Sequence, residues 1–242
     1  MCTSYSWRRA TFHAPRCGEH LVLPNESPEQ RRPVRTQLRA VGISLLFSGV
    51  ALVTYILSGV SLRLALFVGA LLPLAAFRLV WKRMGGDAQR ILVVQLKVGL
   101  AAAVIATGAY DLTRFMLSHL DTSPYNPFEV IRIFGTLLVG NSAATPIVYS
   151  VGTAFHIMNG LCFGIAYWLL FGRYGVPAAV LWGAFLEVFQ LTLYPGWLNI
   201  RFYREFLQIS AASHLIYGAV LGFGCKSFHA RFKRQSVVRT GV

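Results

Sequence analysis

Between Val41 and Cys225 the chain is a succession of apolar runs separated by short polar or glycine- and proline-containing breaks. Six of these runs approach or exceed the roughly 18 residues that mark a membrane-spanning helix. They predict spans over 41–60, 64–81, 91–110, 148–171, 176–194 and 205–225. A seventh run, 128–139, is too short to cross. Asn126-Pro127 before it and Glu129 just inside it give the start signals of a helix, so it reads as interfacial or re-entrant. The pattern predicts an all-α polytopic membrane protein, with spans three to six bundled around a polar centre. The first two spans hold no acid and no histidine. They read as a packing pair, or as the face through which a homodimer forms.

Composition agrees with the pattern. With 55% hydrophobic and 13% charged residues, and a mean hydropathy of +0.54, the chain lacks a soluble domain's balance. A net charge of +14 would point to nucleic acid in a soluble protein. Here the distribution gives another reason. With six spans, seventeen Lys and Arg fall on the side of both termini and five on the other, which places both termini in the cytoplasm of a cell-membrane protein. No groove-reading motif accompanies the charge, so no nucleic-acid partner is expected. Residues 1–40 and 226–242 read as basic cytoplasmic tails. The first lacks an apolar core before Val41 and is therefore not a signal peptide. Cys2, Cys17, Cys162 and Cys225 show no metal or disulfide spacing.

Candidate chemistry lies in a repeated motif. His156-x-x-Asn159-Gly160-x-x-x-Gly164 in the fourth span recurs as His214-x-x-Tyr217-Gly218-x-x-x-Gly222 in the sixth. Each copy sets an imidazole beside a small-residue seam on one helix face. Both histidines fall roughly 12–14 Å below the predicted outer ends of their spans, and Glu187, on the fifth, reaches a similar depth from the other side. Helical spacing adds Thr153 and Asn159 to the face of His156. It adds Ser210 and Tyr217 to that of His214, and Gln190 to that of Glu187. These are candidates to orient the ionisable groups or line a pore.

Four uses of such a cluster are open. Zn or Fe could be bound by His156 and His214, with Glu187 as third ligand or as general base on a bound water. That reading makes the chain a membrane-embedded enzyme on a lipid-like or outer-side substrate. Haem b could take the two histidines axially, with Gly160 and Gly218 admitting the macrocycle. A permease or proton-coupled transporter would use the same residues as a relay. Last, the three could simply hydrogen-bond and fix helix register. Asp111 and Arg114 close the predicted third span, either as a local i,i+3 pair or as an outer gate or headgroup contact. No nucleophile elbow, phosphate loop, dinucleotide fingerprint or His-Glu-x-x-His is present.

Overall fold

A computed structural model describes residues 28–121, 125–198 and 203–240. The first part of the basic tail, with Cys2 and Cys17, and the residues Arg201 and Phe202, lie outside the described residues. Those described are all-helical, without a strand. In order they form α1 (Pro28–Ser44), α2 (Phe47–Ser58), α3 (Leu62–Arg83), α4 (Gly86–Leu120), α5 (Glu129–Val139), α6 (Thr145–Phe171), a 3-10 turn (Gly172–Tyr174), α7 (Gly175–Leu198) and α8 (Tyr203–Thr240). Four stretches are long and apolar enough to cross a membrane: Leu62–Arg83, Gly86–Leu120, Thr145–Leu193 and Tyr203–Phe232. A fifth is added if α1 and α2, bent by 41° at their junction, count as one span.

The stretch Thr145–Leu193 is not straight. The Tyr167 and Trp182 rings lie 6.4 Å apart, where one straight helix would separate them by about 22 Å. The chain reverses at the 3-10 turn. Gly175 adopts a φ of 72° there, a conformation glycine takes without a Cβ clash. The Tyr167 hydroxyl closes the turn by donating to the Gly175 carbonyl at 2.7 Å.

Small residues decide what packs where. On α4, Gly99, Ala102, Ala103, Ala106 and Thr107 form a buried stripe. Gly160 and Gly164 of α6 seat against Thr107 and Ala103, and Gly224 of α8 against Ala102. Thus α4 is wedged between α6 and α8 and antiparallel to both. On the far side of α8, Gly218 and Gly222 lie against Ala179 and Val176 of α7, and Gly183 against the His214 carbonyl. The two glycine seams therefore serve different partners, α4 for the first and α7 for the second. Gly108 is the counter-example, with nothing within 4 Å of a built Cβ. Gly108→Ala should raise stability by about 0.5–1 kcal/mol, as a helix-interior glycine gives way to alanine. A thermal melt in detergent reads this, and a lower midpoint would contradict it.

Four boundaries depart from the sequence expectation. The first helix begins at Pro28 rather than Val41, so residues 28–40 of the expected tail are helical. Glu29, Gln30, Gln37 and the arginines are good helix formers that a hydropathy window does not register. α8 likewise continues from its apolar part into the basic segment as far as Thr240. α4 continues past Tyr110 to Leu120, because no Gly or Pro follows until Pro124. This puts Asp111 and Arg114 inside a helix, not in an outer connection. The short helix runs from Glu129 to Val139 and folds back along α6. Gly135 lies on the Val148 backbone and Gly152 on the Ile131 carbonyl, while the Phe134 and Phe155 rings meet edge to face at 4.9 Å. α3 stands at the periphery and turns Phe67, Leu72 and Leu74 outward.

Candidate functional site

His156 and His214 lie eleven residues into α6 and α8, each roughly 16 Å from the helix start at 1.5 Å per residue. Tyr110 of α4 stands between them. Its ring centroid is 5.8 Å from that of His156 and 4.8 Å from that of His214. The three surround a cavity of about 90 Å³. α4 lines it with Thr107, Tyr110 and Arg114, α5 with Val130 and Phe134, and α6 with His156, Asn159, Gly160 and Phe163. α7 adds Leu186 and Gln190, and α8 adds His214 and Tyr217.

Each imidazole has its own carboxylate. His214 Nδ1 is 2.7 Å from Glu187 Oε2, both side chains nearly buried. The same carboxylate oxygen accepts from the Ser210 hydroxyl at 2.7 Å, and Ser210 Oγ accepts from Gln190 Nε2 at 2.9 Å. His156 Nε2 is 2.8 Å from Asp111 Oδ1, one helix away on α4. Each pairing engages one ring nitrogen and leaves the other uncommitted to a carboxylate. The cost of an ionisable group in a span, about 2.5–3.5 kcal/mol on insertion scales, is offset where two such groups meet.

Several sequence assignments change. His156, Glu187 and His214 do not form one ligand set, because Asp111 takes His156 while Glu187 takes His214. Asp111 pairs with His156 and makes no i,i+3 pair with Arg114. Arg114 turns instead to the Tyr110 hydroxyl at 3.2 Å and to the Pro127 carbonyl. Thr153 is exposed on α6 and faces away from the cavity. Tyr217 does not orient His214, since its hydroxyl donates to the Gly160 carbonyl at 2.8 Å and ties α8 to α6. Asn159 does line the cavity, and its Oδ1 is buried without a hydrogen-bond partner.

A metal does not fit this arrangement. Among the described residues no three His, Cys, Asp or Glu side chains come together as ligands, and tight Zn or Fe sites need at least three. Haem does not fit either. The glycine faces that would admit it are filled, Gly160 by Thr107 and Gly218 by Ala179 and Val180. The cavity is also far below the roughly 300–1,000 Å³ of ordinary organic-ligand sites. Ser210 offers no nucleophile. It is fully buried, and its Oγ approaches the Nδ1 of His214 that Glu187 already holds. A triad needs its nucleophile and its acid on opposite ring nitrogens.

Comparison with known proteins adds nothing to this geometry. No family model, curated protein or solved structure matches the chain.

Tyr110, Asp111 and Arg114 are where sequence reasoning fell short. Thr107, Tyr110, Asp111 and Arg114 follow i, i+3, i+4, i+7 spacing, which marks one helix face. Extending the third span by three turns would have put all four on the face that carries Ala103.

Proposed function

We propose that this chain crosses the bilayer six times and carries a small solute together with protons, its two His–carboxylate pairs holding the protons in transit. The crossings are the bent α1–α2 pair, α3, α4, α6, α7 and α8, with α5 as a re-entrant half-helix and both termini in the cytoplasm. The reversal at the 3-10 turn supports counting α6 and α7 separately, since their joint length of about 73 Å exceeds any bilayer. The distribution of Lys and Arg supports the orientation.

One observation carries the reading: two His–carboxylate pairs, built from four helices, flank one cavity and touch one tyrosine. Intramembrane acids and imidazoles on a cavity are the usual parts of proton relays and carriers. The competing enzymatic reading needs a metal or a nucleophile, and the donor set provides neither.

Proteoliposomes loaded with a pH-reporting dye test the proposal. A panel of short carboxylic acids, amino acids and sugars is added outside, and internal pH is followed. At least one solute should drive an internal pH change in the native protein. Asp111→Asn and Glu187→Gln should each abolish it while solubilised protein still melts cooperatively. A native protein that moves no protons with any member of the panel argues against the reading.

A further inference from the structure

Arg114 is a buried cation whose hydrogen-bond partners are all neutral, with the Asp111 carboxylate within electrostatic reach but not bonded to it. It is 2% exposed and lines the cavity. Its guanidinium donates to the Tyr110 hydroxyl and the Pro127 carbonyl, and is hydrogen-bonded with Tyr125. It lies 5.4 Å from the Tyr110 ring centroid and 5.9 Å from that of Phe128. Its Nε is buried with no partner. The nearby acids are engaged elsewhere: Asp111 with His156, Glu187 with His214, and Glu129, on the surface, with Arg132 at 2.5 Å. Burial pushes the Tyr125 phenol above its ordinary range, so that hydroxyl is no counter-ion. An arginine cannot shed its proton, and a buried ion without a hydrogen-bonded counter-ion is costly.

The wall beside Arg114 is the start of α5. The first turn of α5 faces this space, with Val130 on the cavity wall and the Pro127 carbonyl held by Arg114. Its amides are already engaged, Phe128 N–H donating to Asn126 Oδ1, Glu129 N–H to the Asn126 carbonyl and Ile131 N–H to the Phe128 carbonyl. Glu129, the acid of that turn, is partly exposed and turned to Arg132.

We propose that the cavity binds a small oxyanion, a short-chain carboxylate or phosphate, through Arg114, and that binding is favoured when His156 and His214 are protonated. This rests on the carrier reading for its coupling to protons, but not for the binding itself. With both imidazoles neutral, the carboxylates of Asp111 and Glu187 outweigh Arg114 by one charge. With both protonated, the balance becomes one positive charge. Tyr110 and Tyr217 on the cavity wall, and Tyr125 bonded to Arg114, count as neutral. An anion therefore enters more readily with protons than without. Phe134 and Leu186, which also line the cavity, suit a short alkyl chain behind a carboxylate.

Equilibrium binding tests this without any transport. Purified protein in phosphatidylcholine nanodiscs is titrated with sodium butyrate, inorganic phosphate or tetraethylammonium chloride, and thermal unfolding is followed. Butyrate or phosphate should raise the midpoint saturably, more in mildly acid than in mildly alkaline buffer, while tetraethylammonium should not. Arg114→Lys keeps the charge but loses the planar fork, and should weaken the apparent affinity about tenfold. Arg114→Gln should remove the response. If phosphatidylglycerol in the nanodisc stabilises the protein through Arg114 and free anions do not, the oxyanion is a lipid headgroup and the same chemistry holds. No anion effect on the native protein overturns the site, whether or not any variant folds. A native-like response in folded Arg114→Gln overturns it as well. Equal shifts in the two buffers overturn the coupling. Anion binding without solute-driven proton movement would leave this site standing and remove the carrier reading.

Discussion

His214→Leu alone should destabilise the protein more than His214→Leu combined with Glu187→Met. Glu187 is 5% exposed. One of its oxygens accepts from Ser210 and faces the His214 imidazole, and the other is buried without a partner. Leucine in place of the imidazole leaves a buried carboxylate with a single hydroxyl donor. Breaking a buried pair from one side typically costs about 3–5 kcal/mol, whereas replacing both partners with apolar groups of similar volume is often neutral or better. The double variant therefore recovers most of the loss, although Ser210 and Gln190 must then satisfy each other. Unfolding of the three proteins in one detergent measures the difference. A double variant as unstable as the single one would mean that the pair contributes through shape rather than charge.

The second large effect is expected at Gly152. A methyl group there would fall on the Ile131 carbonyl oxygen and against the Gly135 nitrogen, all backbone atoms that cannot rotate aside. Over-packing usually costs about 1–3 kcal/mol and more where backbone must move. Gly152→Ala should sit at or above the top of that range by lifting α5 off α6. Gly135→Ala meets the Val148 backbone across the same contact. Once α5 is displaced there is little left to lose, so the double variant should cost much less than the sum of the singles. Melting midpoints check both statements. A Gly152→Ala protein with native stability would show that the seat is not tight.

Which parts of this arrangement were legible follows from what hydropathy measures. It scores each residue against lipid, and so it ended the third span at Tyr110, where two charged residues follow closely. In the folded chain those charges face His156 and the Pro127 carbonyl rather than lipid. Helical spacing carried the missing information, because Arg114 lies one turn beyond Tyr110 on the same face. The glycines of the two His motifs were legible as seams from their four-residue spacing. Their partners were not, since no local feature tells that Gly160 meets α4 while Gly218 meets α7. The pairing of the ions was hidden for the same reason. His156, His214, Asp111 and Glu187 sit at comparable depth, and helix rotation alone decides which acid meets which imidazole. Thr153 shows the converse error: it shares a spacing with His156 but lies past the edge of the inward face.

At 35 residues α4 is about 52 Å long, against a hydrocarbon layer of roughly 30 Å. Such a helix must lean or project, and the helices packed against it set its lean. It also bears Tyr110, Asp111 and Arg114 while lying against α6 and α8 at once. Any displacement of α4 would therefore move the tyrosine relative to both imidazoles at once.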